Sequence, residues 1–239
     1  MMRGLCPLAT STLALGACLL VASVGPRDAP ARLRAELGAD DAPADDATIA
    51  RTSCGVARGV RVANGSAVEW RGLRYAAPPV GARRWRAPEP AACPWAADGP
   101  DGVTDAREYG LPCAQRNPIT GDFEGSEDCL RVHVTAPADW RARAARDGPL
   151  PVVFWIHGGS LVQWSAATRA YRVAPAGVAD DGVVVVSVEY RLNAFGWLAT
   201  RALRAEAEGA GGGPYGNWGL LDQIVALEWV RAHLSLIHI

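Results

Sequence analysis

The chain contains no lysine: all 24 of its basic residues are arginine, set against 25 acidic ones. The charges nearly cancel, and no block of one sign runs through the sequence. That excludes the basic groove of a nucleic-acid binder and the polybasic patch of a binder of acidic lipid. Arginine used without lysine in an alanine-rich chain reads as coding bias. Clusters such as Arg83-Arg84 and Arg141, Arg143 and Arg146 are therefore read as solvated faces. No internal repeat is present. Isoleucine is scarce: four occur in the first 236 residues, then two in the last three.

At 239 residues the chain is long enough to bury a full core, and one domain is the default. Residues 1–25 read as a signal peptide. Met1-Met2-Arg3 is a short positive start, residues 4–24 are uncharged and mostly apolar, and Ala22, Ser23 and Gly25 offer small residues for cleavage. Pro7, Thr10, Ser11 and Thr12 interrupt the apolar stretch, which argues against a retained membrane anchor. No stable span is expected after cleavage. Leu15-Gly16-Ala17-Cys18 resembles a lipoprotein box with Cys18 as the lipid site, but the apolar Leu19-Leu20-Val21 opposes that reading. The expected location is secreted or periplasmic.

Residues 26–51 are Ala, Asp, Pro and Arg with little to bury, and read as a disordered linker. Four cysteines follow: Cys54, Cys93, Cys113 and Cys129. An even number in an exported chain favours pairing. Cys113 and Cys129 bracket a polar loop, so a local bridge is expected there, which leaves Cys54 with Cys93. Four free thiols are the alternative if the chain is not exported.

Val56 to Val62 and Ala67 to Trp70 read as strands split by the turn signal Asn64-Gly65. Tyr75 to Pro90 is proline-rich and reads as an extended surface loop. Leu130 to Val134 alternates as a strand does. Residues 166–180 have helical character, with Pro175 as an interruption. Val183 to Val188 is the clearest buried strand, and residues 206–216 read as a Gly-rich loop. Leu220, Ile224, Leu227 and Val230 repeat at helical spacing, with Asn217 or Asp222 as the cap. The order implies an α/β fold in which antiparallel strands lead into a mostly parallel sheet.

The most informative stretch is Phe154-Trp155-Ile156-His157-Gly158-Gly159-Ser160. Pro151 to Ile156 is an apolar run of β-branched and aromatic residues, as in a buried parallel strand. Adjacent glycines after a strand let backbone N–H groups approach a ligand. Such donors stabilise the oxyanion that develops in acyl transfer. An ordinary strand-to-loop turn is the alternative.

From about Cys54 to His233 the chain resembles the type-B carboxylesterases, the group that includes the cholinesterases. The resemblance rests on several motifs in the family's order. They are Gly72-Leu73-Arg74-Tyr75-Ala76-Ala77-Pro78-Pro79-Val80-Gly81, Ser126-Glu127-Asp128-Cys129-Leu130, His157-Gly158-Gly159, Tyr190-Arg191-Leu192 with Phe195-Gly196, and Gly216-Asn217-Trp218-Gly219-Leu220-Leu221-Asp222-Gln223. It implies an α/β-hydrolase fold, of which residues 52–233 are the N-terminal part. It implies hydrolysis of a small-molecule carboxylic ester by a serine nucleophile, with no cofactor and no metal. The family's first disulfide maps onto Cys113 and Cys129, and its buried ion pair onto Arg84 and Glu127. Its oxyanion hole maps onto Gly158, Gly159 and Ser160, with Gly159 and Ser160 at the donor positions. Ser160 departs from the family's glycine, and Leu161 and Trp164 depart at the rim of the acyl pocket.

The nucleophile elbow Gly-x-Ser-x-Gly is absent from the sequence. Ser160 has glycines before it but Val162 where the last glycine belongs. His133, His157, His233 and His238 do not occupy the position of a catalytic base; His157 reads as loop-shaping. No catalytic serine, acid or histidine is thus expected in this chain. In the family, the stretch from Ala226 to His233 leads into Phe-Gly-Gly-Asp-Pro. Here Leu234-Ser235-Leu236-Ile237-His238-Ile239 follows, and residues 234–239 are expected to be a non-native tail. A non-catalytic adhesion or scaffold domain of cholinesterase type is the second reading, and a short binding module the third. Without the strand that carries the nucleophile, Pro151 to Ile156 is expected to be an open, apolar, aggregation-prone edge. The 239-residue chain is expected to be insoluble or molten and to show no turnover of an activated ester; a soluble monomer that hydrolysed one would refute this.

Overall fold

The computed structural model describes residues 20–22, 46–52, 54–93, 103–168, 174–209, 211 and 213–234. Cys18, residues 235–239 and most of the expected signal and linker lie outside the described residues. Eleven strands and five α-helices occur among the described residues, as follows. The strands are β1 (Leu20–Ala22), β2 (Ile49–Thr52), β3 (Gly55–Arg58), β4 (Val60–Val62), β5 (Ala67–Arg74), β6 (Val103–Asp105), β7 (Gln115–Arg116), β8 (Phe123–Glu124) and β9 (Arg131–Pro137). Then come α1 (Trp140–Asp147), β10 (Val152–Ile156), α2 (Pro175–Asp181), β11 (Val184–Val188), α3 (Asn193–Trp197), α4 (Arg201–Gly209) and α5 (Trp218–Leu234).

The main sheet has the order β1-β10-β11-β9-β5-β4. Only β10 and β11 run parallel in it, with Phe154 opposite Val186. The other neighbours are antiparallel, so within this stretch the antiparallel strands lead into a single parallel pair. Parallel neighbours need a crossover, usually a helix, and between main-sheet neighbours this stretch contains only β10–α2–β11. The class is nonetheless α/β. β2, β3 and β6 form a second sheet, and β7 with β8 a small hairpin.

The valines of β11 are buried along the whole strand, and Val132, Val134, Val68 and Trp70 extend the core across β9 and β5. Burial of four valines is why Val184 to Val188 forms a strand, with Ser187 the one polar residue in it: β-branched residues fit a pleated surface covered on both faces. Asn64 adopts φ 54° in the turn between β4 and β5, the left-handed region that asparagine tolerates. Pro175 starts α2 and does not interrupt it, since the first helical turn has no use for its missing N–H. α4 was not expected; its charged residues leave no buried side chain to mark it.

Order also begins earlier than residue 52. Trp70 Nε1 donates to the Thr48 carbonyl at 2.8 Å and Trp140 Nε1 to that of Ala47 at 3.2 Å. The Arg141 guanidinium donates to the carbonyls of Asp46 (2.9 Å) and Ile49 (2.6 Å) and lies over the Trp140 ring. Arg141 is thus a backbone clamp, not part of a solvated face. Arg143 and Arg146 remain at the surface, paired with Asp139 and Asp147.

The edge of β10 is not open. β1 pairs with it antiparallel, Leu20 opposite Phe154 and Ala22 opposite Val152. Residues expected to be part of a signal segment therefore cover the apolar edge whose exposure was expected to cause aggregation. Deleting residues 1–25 removes this cover, and the expected result is self-association in size-exclusion chromatography with light scattering. An equally monodisperse deletion variant would show that β1 does not protect the edge.

Candidate functional site

The site is the turn that leaves β10. Gly159 has φ 120°, and Ser160, Leu161 and Trp164 also have positive φ (55°, 64° and 77°). Gly159 must be glycine for a second reason: a Cβ there would overlap the Gln163 carbonyl and sit 2.7 Å from the Trp164 ring. Its own carbonyl accepts the N–H groups of Val162 (3.1 Å) and Gln163 (3.2 Å), closing the turn. Among the described residues, no acceptor is bonded to the N–H of Gly158, Gly159 or Ser160. The predicted trio is thus brought together on one tight turn, with Ser160 in the left-handed region that its family counterpart would enter more easily.

Three non-glycine residues at positive φ persist only if the surroundings hold them. Gln115 does so from β7: its Nε2 donates to the Trp164 carbonyl at 3.0 Å, and its Oε1 accepts the Trp164 N–H at 2.5 Å. The Asn193 N–H donates to the Leu161 carbonyl at 2.8 Å. Ser165 Oγ donates to Glu189 Oε1 at 2.7 Å. Tyr190 Oη donates to the His157 carbonyl at 2.9 Å and its ring stacks on the imidazole, 4.6 Å between centroids. Burial pushes the Tyr190 phenol up to about 12, so it remains a donor.

Glu189 is the charged centre beneath the turn and is buried with His133 and His157. The Gly72 N–H donates to His133 Nδ1 at 2.9 Å, which places the proton on Nε2, 3.4 Å from Glu189 Oε1. Burial raises the Glu189 carboxyl, but the His133 hydrogen bond, the neighbouring imidazoles and Ser165 outweigh it and hold it below the ordinary carboxylate value. Burial lowers His157 against the opposing pull of Glu189. His157 Nδ1 is 2.9 Å from the Gly158 carbonyl, and its Nε2 faces Glu189 Oε2 at 3.8 Å. His157 lies inside the protein beneath the turn, stacked and enclosed. Neither Glu189 nor Ser165 was singled out from the sequence. The available signal was a carboxylate directly after a valine-rich buried strand, a position that demands partners.

The structure joins Cys113 to Cys129 and Cys54 to Cys93. The first bridge closes the loop that carries β7, β8 and Gln115. Between this loop, Val162-Gln163 and α3 lies a cleft of about 960 Å³. Arg84 forms its pair with Glu127, at 2.5 Å on both oxygens, but the side chains are 40% and 22% exposed. Among the described residues, the arginine–carboxylate pair with the least exposure is a different one. Arg191 meets Asp222 through Nε at 2.8 Å and Nη2 at 2.7 Å, with side-chain exposures of 3% and 0%. The Arg191 N–H also donates to Asp222 Oδ2 (3.0 Å), and its Nη1 to the Arg86 carbonyl (2.9 Å). Asp222 is therefore no helix cap; the Asn217 carbonyl accepts the first-turn N–H groups of α5. Gly219 lets α5 approach this pair closely, since a Cβ there would stand 2.5 Å from the Arg191 carbonyl.

Residues 46–237 match the carboxylesterase family. Relatives include fumonisin B1 esterase of Sphingopyxis macrogoltabida, 34% identical over 81% of this chain and 33% of that one. Para-nitrobenzyl esterase of Bacillus subtilis is 37% identical over 70% of this chain and 31% of that one. The solved carboxylesterase EST55 of Geobacillus stearothermophilus at pH 6.2 superposes with TM-score 0.62 and 33% identity, covering 80% of this chain and 35% of that one. The architecture is thus a partial α/β-hydrolase fold. The chain belongs to the carboxylesterase family, and it spans about a third of the length of the curated relatives it matches.

Breaking a buried pair leaves an uncompensated charge. Asp222→Ala should therefore lose about 3–5 kcal/mol in denaturant unfolding, and Arg84→Ala far less. Arg191→Met with Asp222→Leu should cost no more than either single change. Equal losses for Asp222→Ala and Arg84→Ala would reverse the assignment.

Proposed function

We propose that this chain is the oxyanion-bearing part of a serine carboxylesterase. The observation that carries the reading is the turn Gly158-Gly159-Ser160, whose three N–H groups have no bonded acceptor among the described residues. Family membership supports it. A serine attacks the ester carbonyl with a histidine as general base, and the acyl-enzyme is then hydrolysed. The Gly159 and Ser160 N–H groups receive the oxyanion, and losing one such donor costs about 3 kcal/mol of barrier. The nucleophile, the acid and the base are not among these 239 residues, so the chain by itself is inactive. The substrate is a small-molecule carboxylic ester, and the cleft of about 960 Å³ beside Val162 and Gln163 is where its body fits. No cofactor enters this mechanism.

No helix among the described residues is long and apolar enough to cross a membrane. Two disulfides fit an oxidising compartment, which supports export by the signal segment over residues 1–25; its cleavage takes β1 with it, so the cover on β10 belongs to the uncleaved chain. We read residues 234–239 as non-native.

The test is to read the source gene across codon 233 and treat its whole product with a fluorophosphonate. A Gly-x-Ser-x-Gly elbow and one label per chain are expected, with the 239-residue chain unlabelled. A continuing frame without the serine, and no labelling, would give the adhesion or scaffold reading instead. Genomic codons for residues 234–239 followed by a stop would refute the non-native tail.

A further inference from the structure

A second cluster lies away from the turn and belongs to no part of the esterase reading. Cys54, Cys93 and His233 bring Sγ, Sγ and Nε2 within 4.8 Å of one another. They come from three separate places: the turn between β2 and β3, the end of the proline-rich loop, and the last turn of α5. Cys54 and His233 are buried and Cys93 is exposed. His233 Nδ1 lies 2.8 Å from the Trp229 carbonyl, one turn back, and the imidazole stacks on the Trp229 ring at 4.7 Å. A carbonyl only accepts, so the proton is on Nδ1 and the lone pair is on Nε2. That lone pair is 2.9 Å from Cys54 Sγ. An imidazole whose far nitrogen is bonded to a carbonyl is oriented as metal-ligating histidines are.

We propose that Cys54, Cys93 and His233 form a redox-gated site for a thiophilic metal ion, Zn²⁺ above all. In the oxidised chain the two sulfurs are bonded to each other and the site is closed. A dithiol reductant supplies two electrons and two protons and becomes its own disulfide, while the Cys54–Cys93 bond breaks to two thiols. The metal then displaces both thiol protons to solvent and takes two thiolates and the His233 nitrogen. Tetrahedral zinc with Zn–S about 2.3 Å and Zn–N about 2.1 Å holds such ligands roughly 3.5 Å apart, so the two sulfurs, bonded in the oxidised chain, separate on reduction to reach it while His233 stays beside them. Three protein ligands leave the fourth position to water or an added ligand, and Cys93 is the exposed member of the three. Thiolate and imidazole donors select zinc over magnesium or calcium. Cys113 and Cys129 belong to no comparable group among the described residues.

The experiment uses the full 239-residue chain carrying Cys6→Ser, Cys18→Ser, Cys113→Ser and Cys129→Ser, so that Cys54 and Cys93 are its only cysteines, with Co²⁺ as the spectroscopic probe. After phosphine reduction, one Co²⁺ per chain and a thiolate-to-cobalt charge-transfer band are expected, and Zn²⁺ should displace the cobalt. The oxidised chain should bind none. His233→Asn should weaken binding by at least about tenfold, as loss of even an outer-shell partner does. Cys93→Ser, at an exposed position, should lose about half of the charge-transfer intensity. Binding that ignores His233 would overturn the proposal, because an unfolded dithiol chain behaves that way. Failure of the reduced chain to bind, or equal binding by the oxidised chain, would overturn it too. The esterase reading stands or falls separately, on the elbow.

Discussion

The Arg191–Asp222 pair is the constraint on which the arrangement around the turn depends. Arg191 follows β11 by three residues, and Asp222 is one turn into α5. One guanidinium therefore ties a sheet strand, the loop at Arg86 and a helix. A buried ion pair adds little net stability, because desolvation offsets most of the attraction. What it does here is fix geometry: α5 has one roll about its axis that brings Asp222 under Arg191. That roll buries Trp218, Ala226, Trp229 and His233 and leaves Leu220, Ile224 and Leu227 facing outward.

The turn after β10 depends on the same region. Tyr190 holds the His157 carbonyl, Asn193 holds Leu161, and Glu189 holds Ser165. All three belong to the segment that continues from β11, so the strand next to β10 both pairs with it and supports the loop that leaves it. The Cys113–Cys129 loop closes the other side through Gln115. A run of positive-φ residues is thereby held from two directions, which is how a backbone of this kind is kept ready before any ligand arrives.

Much of this was legible in the residues. A valine-rich run can be read as a strand because a pleated sheet buries it well, which made β11 plain, and the apolar run of β10 was legible too although only Phe154 in it is fully buried. The Gly-Gly after an apolar strand marked the turn, and motifs in series marked the family. What misled was side-chain patterning where apolar residues are abundant on every side. In α5 the stripe Leu220, Ile224 and Leu227 has the periodicity of a core face, yet a single buried carboxylate decides the roll. Arg84 and Glu127 were found as partners, but sequence carries no measure of depth, and the enclosed pair was Arg191 with Asp222. The early start at Asp46 was hidden because its hold on the domain comes through carbonyls bound by Trp70, Trp140 and Arg141, and backbone acceptors leave no trace in composition.

Gly196 and Gly219 flank one peptide from two helices: a side chain on either would run into the Arg191 carbonyl. In an exposed helix, exchanging glycine for alanine is among the safest ways to gain stability. Here the same exchange would wedge α3 or α5 away from the strand end and pull the buried charges out of register. The most ordinary improvement available to a helix is thus closed to this one, and the smallest residues in the segment tolerate the least change.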